Sequence, residues 1–284
     1  MITVNSLSGG KTSSYLAANY PAGHNIFALV RTNDKKCLFP DAKVRQIVSD
    51  KLGGVEFIGT LEEDMIVYTM LDLEQYIGQE IHWVTGQTFD EIILRGKKKY
   101  LPNVTQRFCT ELLKIDPMFR WWKKIFTEPI EMRIGYRANE FIRKQEMLAK
   151  LSPNGYLTYR DIIGKSKNGK RNKWANIEWQ KPEFPLINDG IFKDHIEEWW
   201  KDKPVRFALL NNCVGCFHRN PILLKFMSEK QSEKFQWFID QEGCGYRTRT
   251  FKNGITYQHI KDHPMQMQFD YDDFDECDRG YCGL

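Results

Sequence analysis

Apolar and polar positions along this chain fall into two rhythms that mark out its elements. Ile2-Thr3-Val4-Asn5-Ser6-Leu7 is a short strand-like run that breaks into Ser8-Gly9-Gly10-Lys11-Thr12-Ser13, after which residues 12–20 suit a helix. Residues 25–30 form an apolar run short enough for a buried parallel strand, residues 39–52 place apolar side chains at helical spacing, and residues 55–58 are a third strand candidate. His82-Trp83-Val84 reads as a further strand and residues 88–94 as a short helix. An irregular stretch from Arg107 leads into a helix through Phe126, Glu131-Met132-Arg133-Ile134 reads as a strand, and a helix follows to Leu151. Residues 192–200 and 221–242 each read as one helix, while residues 152–182 have the least core-like pattern and are expected to be a mobile basic insertion. Strands alternating with helices predict an α/β fold with a parallel sheet and right-handed crossovers, whose ligands sit beyond the carboxyl ends of the strands.

The break after Leu7 has the makings of a phosphate-binding loop. Two glycines let backbone N–H groups approach an anion without a Cβ in the way, the helix that follows presents its positive end, and Lys11 adds a full charge. The Walker A pattern shares the Gly10-Lys11-Thr12 ending but needs a glycine at position 5, where this chain has Asn5. The short form Ser8-Gly9-Gly10-Lys11-Thr12-Ser13 resembles instead the PP-loop of the adenine nucleotide alpha hydrolase-like superfamily, usually SGGKDS. That superfamily includes ATP pyrophosphatases, tRNA thiolation enzymes and phosphoadenosine phosphosulfate (PAPS) reductases. Thr12 stands where the family has Asp, so the resemblance supplies no carboxylate there for a metal. Without a ligand the same residues make a glycine-rich turn. Arg31-Thr32-Asn33-Asp34 closes the next strand at the same edge, where Thr32 and Asn33 either touch the adenosine or form a solvated turn.

Composition narrows the setting. Forty-two per cent apolar residues, with eight Trp and eighteen Phe in 284 residues, indicate a folded globule of one large domain or one domain with appendages. The net charge of +4 is mild, but Lys and Arg gather at residues 95–99 and 165–173, and acidic residues at 270–278. The first cluster either attracts phosphate or ends a solvated helix. The second contacts a nucleic acid or a nucleotide's outer phosphates, or is solvated. No apolar run reaches the length of a membrane span and the N-terminus enters a strand directly, so a cytoplasmic protein without a membrane partner is expected. Seven cysteines then point to metal or redox chemistry rather than to structural disulfides.

Three further motifs extend the resemblance in the same order. Arg107-Phe108-Cys109-Thr110-Glu111-Leu112-Leu113-Lys114 is similar to the R-x-C-T-x-x-L-K segment of PAPS reductase-like proteins, including those of phages and mobile elements and DNA phosphorothioation sulfurtransferase-type proteins. Arg107 and Lys114 suit a phosphate or sulfate. Cys109 at a helix start is expected to have a depressed pKa and to be available as thiolate, with a buried structural cysteine as the alternative. Gly135-Tyr136-Arg137-Ala138-Asn139-Glu140-Phe141-Ile142-Arg143 resembles the family's GIRADE-x-x-R element at a strand-to-helix turn. It aims Arg137 and Arg143 at the ligand's anionic groups with bidentate geometry, and leaves Glu140 to orient Arg137 or bind a metal, Asn139 having replaced the family's Asp. Pro185-Leu186-Ile187, a Trp-bearing helix and Asn212-Cys213-Val214-Gly215-Cys216-Phe217 again match PAPS reductase-like phage and bacterial proteins.

The resemblance implies that Cys109, Cys213 and Cys216 converge on a [4Fe-4S] cluster, with a fourth ligand from Cys244, Cys277 or Cys282. Where some sulfonucleotide reductases carry two adjacent cysteines, this chain has Cys109-Thr110. The competing construction is zinc on Cys213, Cys216, Cys277 and Cys282, which pairs C-x2-C with C-x4-C and leaves Cys109 free. The closing Tyr281-Cys282-Gly283-Leu284 resembles the ECGLH tail whose cysteine attacks the sulfate sulfur, though it lacks the final His; Cys282 is otherwise a ligand or an incidental thiol. Taken together the resemblance implies an α/β PP-loop domain over residues 1–151, a basic insertion over 152–182 and a helical, cysteine-bearing part over 183–284 packed on the same core. It implies an enzyme of sulfur metabolism that binds ATP, PAPS or adenosine phosphosulfate (APS), with Lys11, Arg137 and Cys282 in catalysis, reducing a sulfonucleotide to sulfite with a thioredoxin-like thiol reductant. Two alternatives stay open: an ATP pyrophosphatase that adenylates a nucleic-acid target for sulfur insertion, partnered by a cysteine desulfurase, and a non-catalytic nucleotide or nucleic-acid binding module.

Overall fold

A computed structural model describes residues 1–95, 98–166, 168–243 and 249–264. Its centre is a six-stranded sheet built from β1 (Thr3–Leu7), β2 (His24–Ala28), β3 (Ile81–Val84), β4 (Ile130–Ile134), β5 (Leu157–Lys165) and β6 (Asn172–Glu183). The spatial order is β3-β2-β1-β4-β6-β5, parallel throughout except for β5, which runs antiparallel to β6 at the edge. Alternation along each strand feeds two cores. Leu7 and Phe27 face one side, where they meet α1 (Lys11–Asn19), α2 (Ala42–Lys51) and α3 (Met65–Ile77); Val4, Ile26, Ile130 and Met132 face the other, against Met118, Phe119 and Trp122 of α4 (Asp116–Ile125). Asp41 caps α2 by accepting from the Lys43 and Val44 N–H groups, and Gly78 ends α3 in the left-handed conformation at φ +62°.

The C-terminal part is helical: α5 (Phe141–Leu148), α6 (Lys193–Trp200), α7 (Pro221–Lys230), α8 (Ser232–Gln241) and α9 (Tyr257–Asp262). Helices α7 to α9 surround a third core of Phe235, Trp237, Phe238, Phe251 and Tyr257, which also takes in Val30, Leu61 and Phe89 from the first third of the chain. The helical part therefore folds back over the carboxyl edge of the sheet, where Val30 follows β2. Among the described residues no helix is long and apolar enough to cross a membrane.

Three readings from sequence need correction. Residues 55–58 form no strand: Val55 is exposed, only Phe57 is deeply buried, and the extended pairings nearby are Gly59–Thr60 with Arg31–Thr32 and the bridge of Leu38 to Gly59, both antiparallel. A single anchor is too little to hold a strand in a sheet. Residues 221–242 make two helices, broken at Gln231 (φ −129°, ψ 50°), which lets the Leu223/Leu224/Met227 face of α7 and the Phe235/Trp237/Phe238 faces of α8 turn into one core. Residues 152–182 hold the β5–β6 hairpin rather than a loop, and β6 is a full member of the sheet with Trp179 buried beneath it. The inward positions are Tyr159, Asp161, Ile177 and Trp179, so a polar residue interrupts the apolar alternation that would have marked the strand.

Candidate functional site

β1 has β2 on one side and β4 on the other, so the chain leaves it towards opposite halves of the sheet, and ligands of open α/β sheets bind at such a switch. Ser8-Gly9-Gly10 occupies that point. Gly9 takes φ +81°, and a Cβ there would lie 2.5 Å from Ile66 Cγ2; a Cβ on Gly10 would sit inside the Asn211 side-chain amide. Ser13 latches the loop: its Oγ accepts from the Ser8 N–H at 3.1 Å, donates to the Gly10 carbonyl at 3.2 Å and lies 3.1 Å from Ser8 Oγ. Gly10 caps α1 without a side-chain bond, which leaves the first N–H groups of a nine-residue helix for an anion. Gly135, at the end of β4, comes so close that its Cβ would be 3.2 Å from Ser13 Cα.

The charged residues singled out from sequence gather here, each held by a carboxylate. Lys11 ion-pairs with Glu197 of α6, and its carbonyl accepts from Trp200 Nε1 at 3.0 Å, so α6 grips the first turn of α1. Thr12 beside it is half-buried. Glu140 accepts from the Arg137 N–H at 2.7 Å and from Arg137 Nε at 3.3 Å, and also pairs with Arg143, whose guanidinium stacks 4.0 Å over the Tyr136 ring. Glu140 thus orients both arginines. Thr32 is committed elsewhere: its hydroxyl donates to Asp90 at 2.7 Å, and the Asn33 N–H donates to the same oxygen at 2.8 Å, in a knot that Trp237 Nε1 completes at 3.0 Å. Asn33 is exposed.

A cavity opens beside this edge. Cys109, Cys213 and Cys216 all line it, with Arg107, Lys114 and His218 as its polar walls and Leu113, Phe217, Phe238 and Phe251 among its apolar ones. The segment from Phe108 enters α4 through a π-helical stretch, Glu111–Ile115, of the kind that recurs at functional sites, and this stretch carries Lys114. Lys114 Nζ bonds Glu62 Oε1 at 3.1 Å. The Cys213–Cys216 turn is pinned from outside: Val214 N–H donates to the Leu61 carbonyl at 2.8 Å, and Tyr257 donates to the Gly215 carbonyl at 2.9 Å, with the Phe238 ring against Gly215. Asn212 takes φ +75°, the one left-handed non-glycine residue among those described, a conformation asparagine tolerates better than most. Arg219, fully buried, donates to the Asn211 and Asn212 carbonyls and holds that bend.

Asn211 and Asn212 are the join. The amide that packs on Gly10 is two residues, at most about 7 Å of chain, from Cys213. Cysteine cavity and glycine loop are therefore neighbours in one site.

No protein-family model, curated protein or solved structure matches the chain.

Cys109 is not the preformed thiolate expected from its helix start. Burial pushes the Cys109 thiol up to about 11, reinforced by Cys216 and opposed by Arg107, and burial followed by the Glu62 charge holds Cys213 well above its ordinary value against Lys114. The apolar walls outweigh the helix start and the Arg107 and Lys114 charges at these two thiols. Among the described residues no three His, Cys, Asp or Glu side chains meet around a point as ligands of a single ion would. Cys109, Cys213 and Cys216 share one cavity lining with Arg107 and Lys114. Cys244, Cys277 and Cys282 lie outside the described residues.

Sequence reading missed Glu62, Glu63 and Asp64. Glu62 and Glu63 are buried; Glu63 accepts from the Leu210 N–H at 2.7 Å, and Asp64 pairs with Lys234 at 2.6 Å. Burial raises the Glu63 and Asp64 pKa values, against the pull of Lys234 and, for Glu63, of its backbone hydrogen bonds and Arg219. Three acids before an apolar run signal a helix start, which α3 bears out, but not that they are buried. Of the first basic cluster, Lys99 donates to Gln241 at 2.9 Å, while Gly96 and Lys97 lie outside the described residues; of the second, Lys165, Lys170, Arg171 and Lys173 sit past the opposite end of the sheet.

Proposed function

We propose that this chain binds an adenine nucleotide at the switch point and uses it in sulfur metabolism, reducing PAPS or APS to sulfite. The observation that supports this best is the two-residue link from the amide on Gly10 to Cys213, which sets a thiol-lined cavity against a phosphate-type loop. The nucleotide's phosphates rest on the open N–H groups at the start of α1, with Lys11 to the side. Arg137 and Arg143, already oriented by Glu140, take the sulfate or the sugar phosphate. Cys109, Cys213 and Cys216 would hold a [4Fe-4S] cluster, completed by Cys244 or Cys277 where Cys282 is the nucleophile; when bound, it would order the cavity wall beside the sulfate. Arg107 and Lys114 balance the charge of that wall. Cys282 attacks the sulfate sulfur as thiolate and displaces adenosine bisphosphate, or AMP from APS. A thioredoxin-like dithiol then releases sulfite from the S-sulfocysteine and leaves as the disulfide.

Product analysis tests this. Sulfite with adenosine bisphosphate from PAPS, or with AMP from APS, is the expected result. AMP and pyrophosphate from ATP would replace it with adenylation of a second substrate, and tight binding without turnover would leave a nucleotide-binding module. Metal content is a separate check: anaerobically purified protein is expected to be brown, with about four irons per chain, whereas stoichiometric zinc in a colourless protein would assign the knuckle and tail to zinc and free Cys109.

A further inference from the structure

The β5–β6 hairpin reaches far beyond the sheet it belongs to. Gln180 of β6 is in register with Ile130, the first residue of β4, so residues 172–179 and their partners run past the amino edge by roughly 25 Å. Helix α4 supports the inner face only as far as Asp161, whose carboxylate takes Arg120 at 2.8 Å and Lys123 at 2.7 Å. Beyond it, Ile162, Ile163, Lys165 and residues 170–174 are all exposed. The register places Ile162 opposite Trp174 and Arg160 opposite Asn176, so all four share the outer face, with the Arg160 guanidinium 5.3 Å over a half-exposed Trp174 ring. Residues 162–177 contain five Lys or Arg and no Asp or Glu. Among the described residues no carboxylate pairs with Lys165, Lys170, Arg171 or Lys173.

This arm cannot serve the nucleotide of its own chain, which the reading above puts at the other end of the sheet. Guarding an edge strand explains Lys165 on β5. It does not explain Trp174, an exposed apolar ring on the stretch of β6 that pairs with β5 alone. We propose that the hairpin is a binding arm for single-stranded nucleic acid: Lys165, Lys170, Arg171 and Lys173 follow the phosphates, while Trp174 and Ile162 give an unpaired base a flat apolar face. The alternation of free cations with one exposed ring is what a strand of phosphates and splayed bases requires. An anionic membrane surface would recruit the cations equally, but it would need a continuous apolar face, which Arg160 and Asn176 interrupt.

The test uses the full chain and a short fluorescent oligothymidylate, read by anisotropy across a salt series. The intact protein is expected to bind with a steep salt dependence. Replacing Lys165, Lys170, Arg171 and Lys173 together by Ala is expected to flatten it, removing about fifty-fold of the affinity lost between low and physiological salt. Trp174→Ala is expected to weaken binding about tenfold with the salt slope unchanged. All five positions are exposed, and melting temperature checks that the fold is intact. Absence of binding at low salt, or an unaltered slope in the fourfold variant, overturns the proposal. So does tighter binding of a duplex than of the single strand, or binding of phosphatidylserine vesicles in place of the oligonucleotide. Nucleotide affinity of the fourfold variant is expected to equal that of the parent, so failure of the arm and failure of the proposed nucleotide chemistry register separately.

Discussion

At the carboxyl edge of the sheet Lys11 pairs with Glu197, Arg137 and Arg143 with Glu140, and Lys114 with Glu62, whereas beyond the amino edge Lys165, Lys170, Arg171 and Lys173 have no carboxylate partner among the described residues. A cation held by a carboxylate has a fixed position and a partly cancelled charge, so it favours a ligand whose anionic groups match its geometry. An unheld cation on an exposed ribbon selects little beyond charge and answers directly to salt. The same residue types thus serve shape at one end and attraction at the other. Backbone packing follows suit: Gly9, Gly10 and Gly135 are hemmed in by Ile66, Asn211 and Ser13, while a Cβ on Gly164 or Gly169 would meet nothing within 4 Å.

That contrast can be broken most severely at Gly10. Gly10→Ala drives a methyl into Asn211 and is expected to cost about 1–3 kcal/mol of stability and to abolish nucleotide binding; adding Asn211→Gly is expected to restore part of both, read by melting temperature and calorimetry. The cysteines come next. Cys213→Ser and Cys216→Ser are expected to lose the metal, and Cys109→Ser to lose it with them if iron is held beside the nucleotide; Cys109→Ser with unchanged metal would separate the cavity from the metal. Lys11→Ala and Arg137→Ala are each expected to weaken adenine nucleotide binding by roughly 1.5–3 kcal/mol. Glu140→Gln, which only loosens the arginines, is expected to cost less than Arg137→Ala; equal affinities in all of these variants and the parent would remove the nucleotide site.

The smallest effects are in pH dependence, with opposite signs at the two edges. Burial alone would raise the Asp161 pKa, but hydrogen bonds from Lys123 and Arg120 outweigh it and hold this carboxyl below its ordinary value. Its contribution is therefore present above the unfolded carboxylate pKa and is lost as pH falls through the folded one. Glu63 is raised by burial, so its charged form opposes folding at neutral pH and that opposition fades in acid. Denaturant titrations are expected to show parent gaining on Asp161→Asn as pH rises through the carboxylate range, and Glu63→Gln gaining on parent. Parallel curves for either pair would contradict the corresponding burial argument.

The glycine loop, α1 and the Arg137 turn were legible because each is set by residues adjacent in sequence. Glycines placed between a strand and a helix state their conformation locally, as does Thr88, whose capping box with Glu91 marks the start of Phe89–Ile93. What escaped depends on partners far along the chain. Glu62 is buried because Lys114 meets it from 52 residues away, and Asp161 can point inward because Arg120 and Lys123 do the same from α4. The thiol pKa was misjudged for a related reason, since helix position is readable from sequence and the apolar walls contributed by Phe217, Phe238 and Phe251 are not. Likewise the Glu197 partner of Lys11, brought by α6 from 186 residues away, is not readable beside the loop.

On the proposed function, the Asn211-Asn212 bend would make two occupancies into one thermodynamic variable. Any ligand that shifts Cys213 must move the amide lying on Gly10, and any anion that repositions Gly10 must push back on Cys213. Linkage requires the exchange to be symmetric: the factor by which metal at the thiols changes nucleotide affinity is the factor by which nucleotide changes metal affinity. A chelator titration with and without nucleotide would therefore report the strength of that mechanical coupling, and the left-handed strain at Asn212 is the place where a substitution should weaken it without touching either ligand.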